Sequence, residues 1–151
     1  MISLDDALYR LIFAGTLGAV VGAEREWRAR SAGLRTNTLI AMGAALFTIM
    51  ALELSPDGGD TSRVTSQIVT GVGFIGAGAI FREKGQDVVG LTTAATIWVN
   101  AAVGIAAGAG HYRLAGLSTI AVLFVLTALI PIERTLERHA KPKIVDPPPG
   151  A

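Results

Sequence analysis

Five long stretches of this chain carry almost no charge: residues 4–22, 34–54, 64–81, 91–110 and 114–132. Each runs for roughly 18 to 21 residues, the length a helix needs to cross about 30 Å of hydrocarbon. A soluble protein can hide one such segment in its core. Five of them within 151 residues leave no polar material to cover them. A bilayer core offers no hydrogen-bond partners, so a spanning chain must satisfy its backbone internally, and helices do this without closing a barrel. The expectation is an all-α integral membrane protein, a bundle of five transmembrane helices occupying residues 1–140. A tail at 141–151 ends in Asp-Pro-Pro-Pro-Gly-Ala, which cannot continue a helix and is expected to be disordered.

Charge sets the orientation. Arg25, Arg28, Arg30, Arg35, Arg82, Lys84, Arg134, Arg138, Lys141 and Lys143 fall on one side of such a bundle, and Arg10, Arg63 and Arg113 on the other. Cytoplasmic loops are the ones rich in Lys and Arg. The C-terminus is therefore expected in the cytoplasm and, with five spans, the N-terminus outside. Asp5, Asp6, Glu53, Asp57 and Asp60 gather on the outer side, and Trp27 and Tyr112 fall at opposite interfaces. The opening Met-Ile-Ser-Leu-Asp-Asp has no basic residue. It does not resemble a secretory leader, and the first helix is expected to be retained.

Composition removes several classes of function. Thirteen basic and twelve acidic side chains leave a net charge of +1, without the basic surplus a nucleic-acid binder needs. No cysteine is present, so disulfides and thiolate metal sites are excluded. The two histidines, His111 and His139, are expected on opposite sides of the membrane and cannot share a metal. Neither a phosphate-binding Gly-x-x-x-x-Gly-Lys-Ser/Thr nor a nucleophile elbow occurs. No cofactor is expected, and the chain is not expected to be an enzyme.

One motif misleads. Gly71-Val-Gly73-Phe-Ile-Gly76 spells the dinucleotide fingerprint, but that motif has meaning only between a strand and a helix of a β-α repeat. Inside an apolar run it reads instead as a helix face without side chains. Gly71 and Gly78 share a heptad spacing with Gly85, while Gly18-x-x-x-Gly22 and Gly104-x-x-x-Gly108 repeat at four residues. Such faces let helix backbones approach closely in lipid. Gly18, Gly22, Gly71, Gly73, Gly76 and Gly78 are thus expected to mark helix packing.

Polar residues within the spans are the candidates for function. Asp6 and Arg10 are four apart and share a helix face. Arg10 either snorkels to its neighbour or serves a site. Gln67 and Thr70 lie in the third span, and Thr92, Thr93, Thr96 and Asn100 form a stripe on the fourth. Such a stripe serves as interhelical glue or lines a small aqueous pocket. The loop after the first span alternates charges through Glu24, Arg25, Glu26, Arg28 and Arg30. Arg35 at the start of the second helix and Arg82 at the end of the third are expected to form, near Glu24, a charge cluster at the cytoplasmic mouth that locks helix ends.

These residues carry a resemblance. Gly22-Ala-Glu24-Arg25-Glu26 with Ala32-Gly33-Leu34-Arg35-Thr36 resembles the first signature of the MgtC/SapB family of bacterial inner-membrane proteins. Arg63-Val-x-x-Gln67-Ile-Val-x-Gly71-Val-Gly73-Phe-Ile-Gly76-Ala-Gly78-x-Ile80-x-Arg82 resembles the central one. Gly90-Leu-Thr92-Thr93-Ala-Ala-x-x-Trp98, continuing to Gly104, resembles the third. Together they cover about residues 5 to 113. Many family members continue into a soluble regulatory domain, and this chain resembles the short members with a membrane domain alone. The resemblance implies a multi-pass inner-membrane protein linked to growth in low Mg²⁺ and to survival inside macrophages. It implies action on a membrane partner, the proton-driven ATP synthase, through helix contacts. A small Mg²⁺ transporter or channel is the other reading, and a homo-oligomer is compatible with either. Mg²⁺ seeks one or two carboxylates. The acids with membrane depth are Asp6, Glu24 and Glu53, near opposite faces rather than at the midplane.

Overall fold

The computed structural model describes residues 2–55, 61–82 and 88–139. Within these residues six helices follow one another: α1 (Leu4–Trp27), α2 (Leu34–Leu54), α3 (Thr61–Gly78), α4 (Leu91–Gly108), α5 (Tyr112–Ala128) and α6 (Ile130–His139). The other pairing among the described residues is a single antiparallel bridge between Phe81 and Val89.

Local chemistry fixes the helix ends. Ser3 caps α1 by accepting the Asp6 N–H at 3.2 Å, and Asp5 and Asp6 place negative charge on its first turn. α1 runs on to Trp27, so Glu24, Arg25 and Glu26 belong to its last turns and not to a loop as the charge pattern suggested. The reversal that follows is short and includes two left-handed alanines, Ala29 (φ 51°) and Ala32 (φ 57°). Gly33 has no side chain with which to cap α2, and the Glu26 carboxylate accepts the Leu34 N–H instead, at 3.1 Å. Before α4, Gly90 sits at φ 90°, where a Cβ would come within 1.9 Å of the Ala79 carbonyl oxygen, so only glycine fits. α4 closes with left-handed Gly110, the His111 N–H reaching the Ala106 carbonyl at 2.8 Å and the Gly110 N–H the Ala107 carbonyl at 3.0 Å.

α4 is the centre of the bundle, packed against α1, α2, α3 and α5. α2 lies against α1, α4 and α3, and α5 also meets α1. The buried surfaces are made of small residues. Ala14, Ala45, Val103, Ala107 and Ala115 form one apolar cluster, and Ala44, Ile68, Val72, Ile97 and Ala101 another. Large apolar side chains point outward instead, among them Ile12, Leu39, Phe47, Phe74, Leu117 and Phe124. Small residues inside and large apolar ones outside is the arrangement of a bundle whose solvent is lipid.

Among the described residues four helices are long and apolar enough to cross a membrane: Leu4–Trp27, Leu34–Leu54, Leu91–Gly108 and Tyr112–Ile132. α3 has 18 residues, about 27 Å at 1.5 Å per residue. It is not among these four, because Thr61, Ser62, Arg63, Thr65, Ser66, Gln67 and Thr70 crowd its first ten residues. The last span is also not one continuous helix. α5 yields to α6 at Leu129, next to Pro131, which lacks the N–H that the ladder requires. Asp57, Asp60, Lys84, Gly85 and the tail at 141–151 lie outside the described residues.

The glycine faces divide. In α1, a Cβ on Gly18 would lie 2.6 Å from the Asn37 carbonyl oxygen, and one on Gly22 would lie 2.7 Å from the Leu34 Cα. In α4, a Cβ on Gly104 would stand 2.3 Å from the Ala41 carbonyl, and one on Gly108 would stand 2.6 Å from that of Ala45. Both helices therefore press their glycines onto the backbone of α2. Gly71, Gly73 and Gly78 of α3 have nothing within 4 Å of an added Cβ, which corrects the expectation that they pack helices within this chain. Gly76 differs, its added Cβ being 3.6 Å from Ala94 of α4, at ordinary contact distance.

Candidate functional site

Three polar groups are built along the α1–α2–α4 core. The first lies where α1 ends and α4 begins. Arg25 is 4% exposed, and its Nη2 donates to Thr93 Oγ1 at 2.9 Å. Ser31 Oγ stands 3.2 Å from the same Thr93 oxygen, which joins the α1–α2 reversal to α4. Glu24 does not pair with Arg25 or Arg35. Its partner is the Arg28 Nε, one turn further along the same helix face. Arg35 is exposed at the start of α2, and Arg82 is exposed beyond α3. The mouth cluster expected from Glu24, Arg35 and Arg82 is therefore dispersed: Glu24 stays on α1's own face and the two arginines face outward, while Arg25 turns inward. Arg25 Nε and Glu24 Oε2 are buried without a hydrogen-bond partner.

The second group lies deeper. Asn100 is 1% exposed, and its Nδ2 donates to the Asn37 backbone carbonyl at 2.8 Å and to Asn37 Oδ1 at 3.2 Å. Asn37, fully buried, donates its own Nδ2 to the carbonyls of Ala32 and Gly33. Two carboxamides thus tie α4 to α2 and to the reversal before it. Asn100 Oδ1 is left without a partner. Thr96, 3% exposed, gives its hydroxyl to the Thr92 carbonyl of its own helix at 2.7 Å. The stripe on α4 is accordingly narrower than its spacing suggested: Thr93, Thr96 and Asn100 face inward, and Thr92 faces out.

The third group is at the other end of the bundle. Arg10 Nε donates to Asp6 Oδ2 at 2.9 Å, and Nη2 lies 2.7 Å from the same oxygen. Arg10 Nη1 reaches across to the Gly108 carbonyl at 2.8 Å, capping the C-terminal end of α4 with a positive charge. Tyr112 completes the group, donating its hydroxyl to Asp6 Oδ1 at 3.3 Å and meeting Tyr9 and Phe13 edge-on at 5.2 and 5.3 Å. The Ile2 N–H donates to Glu53 of α2 at the same end. Arg10 therefore does more than reach its i–4 neighbour: it fastens α1 to α4.

Gln67 stands apart from all three. It is exposed on α3, in a groove between α2 and α3 of about 560 Å³ whose wall includes Leu39, Gly43, Phe47, Gly71 and Ile75. Asn37 and Ser31 were missed as site residues, and their places hid them. A first-turn Asn and a loop Ser are ordinarily solvated or capping residues. No sequence signal singles out Asn37, because Gly18, against which its backbone packs, lies on another helix.

A family model for the MgtC family matches residues 11–135. The chain belongs to the MgtC family. It is 49% identical over 116 residues to Protein MgtC of Salmonella typhimurium, covering 77% of this chain and 49% of that protein. It is also 49% identical over 124 residues to Protein MgtC of Brucella abortus, covering 82% and 51% respectively. The chain thus spans about half the length of the curated MgtC proteins it matches. No solved structure matches it. All three polar groups lie within or adjoin the matched region, and the apolar helices make this MgtC-family chain an MgtC-like membrane protein.

Proposed function

We propose that the chain is a five-span protein of the bacterial inner membrane, with its N-terminus outside, that regulates a larger membrane complex through helix contacts. The ATP synthase is the partner that the family resemblance implies, and adaptation to low Mg²⁺ and intracellular survival are the setting. The observation that carries this reading is the outer face of α3. Gln67 and Gly71 line the groove with α2, and Gly71 and Gly78 have open space where a side chain would be. Lipid cannot satisfy a carboxamide, and an unpartnered amide in hydrocarbon costs several kcal/mol. A helix laid in the groove would meet glycine at Gly43 and Gly71, where its backbone can come close, and would find a hydrogen-bond partner in Gln67. The occupant is therefore a transmembrane helix of the partner complex.

The test uses inverted inner-membrane vesicles. Adding the chain should slow ATP-driven proton pumping, and unchanged pumping would contradict the reading. Mg²⁺ transport is the second reading, favoured by the orphaned Asn100 Oδ1 inside the bundle. Purified protein in liposomes, measured for Mg²⁺ flux beside empty liposomes, separates the two, because the regulatory reading expects no flux above the control.

A further inference from the structure

Beside the C-terminal end of α1 lies a second cavity, about 580 Å³, lined by Ala23, Glu24, Trp27 and Arg28 of α1 and by Thr127 of α5. Its size is that of a small-molecule site. Unlike the α2–α3 groove it is charged, with one acid and one base a single helical turn apart on the same face. We infer that it holds the headgroup of a zwitterionic aminophospholipid, the ammonium on Glu24 and the phosphate on Arg28.

The acid supplies the first half of the argument. Glu24 Oε1 is ion-paired with the Arg28 Nε, while the buried Oε2 has no hydrogen-bond partner. An ionised carboxylate accepts at about four lone-pair sites, and leaving those of one oxygen empty away from water is costly. An alkylammonium has three N–H donors and fits that deficit. The base supplies the other half. The Arg28 side chain is 38% exposed against 11% for Glu24, so the pair is asymmetric, with the acid inside and the guanidinium toward the opening. Arg28 uses Nε toward Glu24, and guanidinium forks suit phosphate oxygens.

The two charges together select the ligand. A simple cation would satisfy Glu24 but be repelled by Arg28, and a simple anion would meet the reverse. A molecule with an ammonium two carbons from a phosphodiester satisfies both. The cavity also lies where such headgroups are found. Trp27, 92% exposed at the end of α1, is the kind of side chain that sits at the membrane interface. Arg30, exposed just beyond α1, adds positive charge at this end of the bundle.

The experiment compares lipids that differ only in these features. The full chain, stripped of lipid in detergent, is offered equal amounts of phosphatidylethanolamine, phosphatidylcholine and phosphatidylglycerol, and retained lipid is read by native mass spectrometry. Phosphatidylethanolamine should be retained about tenfold over phosphatidylcholine, whose quaternary ammonium has no N–H to give Glu24. Glu24→Gln should erase that preference, and Arg28→Gln should weaken both lipids together. Thr127→Phe, which fills the cavity and leaves both charges, should release phosphatidylethanolamine without changing the melting temperature, and it decides the matter if Glu24→Gln fails to fold. Equal retention of the three lipids, or an unchanged preference in Thr127→Phe, overturns the inference. Displacement by an equal concentration of glycerophosphoethanolamine would place the ligand in the aqueous phase and overturn the lipid assignment.

Discussion

Asn100 and Asn37 show what a single polar side chain does in this bundle. Each is buried, and their shared hydrogen bonds cross from α4 to α2. In lipid such a bond typically contributes below about 2 kcal/mol, because the separated helices also find partners. Asn100→Ala should therefore lower stability by about 1–2 kcal/mol, read as an earlier unfolding transition in detergent. Thr92→Ala, on the exposed side of the same helix, should stay within about 0.5 kcal/mol of the parent. Equal transitions for Asn100→Ala and the parent would mean that the carboxamide pair does not hold the helices together. The Arg25–Thr93 bond extends the same logic to a buried charge, held by a neutral hydroxyl while the neighbouring acid pairs elsewhere.

At the scale of the helices, contact is decided by which glycines find a backbone. Gly104→Ala would put a methyl where the Ala41 carbonyl oxygen already lies, 2.3 Å away, and α2 would have to move. Such overpacking costs about 1–3 kcal/mol. Gly71→Ala meets open space and should leave stability unchanged or raise it slightly through helix propensity. Melting curves of the two variants in one detergent check the contrast, and equal losses would refute it. Gly18-x-x-x-Gly22 and Gly104-x-x-x-Gly108 were legible as packing faces because their four-residue spacing is a property of one helix. Gly71, Gly73 and Gly78 of α3 are as regularly placed and yet have no neighbour. Whether a face is used depends on where the other helices lie, and α2 presents alanines to α1 and α4 that no glycine pattern marks. The same limit hid Asn37, whose burial comes from Gly18 on another helix. Charge pairing failed for a related reason. Once α1 extends to Trp27, Arg28 lies one turn from Glu24 and takes the partner assigned by sequence to Arg35 and Arg82.

For the whole molecule, the apolar stretches foretold an all-helical bundle, and the four most apolar helices match them closely. α3 was the exception, since a low count of charges concealed its many hydroxyls and its amide. The proposed topology has a direct check, because the chain has no cysteine of its own. Cysteine placed at Asp57 should react with an impermeant thiol reagent applied from outside the cell, and cysteine placed at Arg30 should not. The reverse pattern would invert the bundle. The central claim, that a closed α1–α2–α4 core leaves the α3 face for a partner, is tested most directly by Gly71→Leu. Its side chain enters the α2–α3 groove without touching the core contacts, so the melting temperature should be that of the parent while inhibition of ATP-driven proton pumping in inverted vesicles is lost. A variant that melts normally and still inhibits fully would contradict the account.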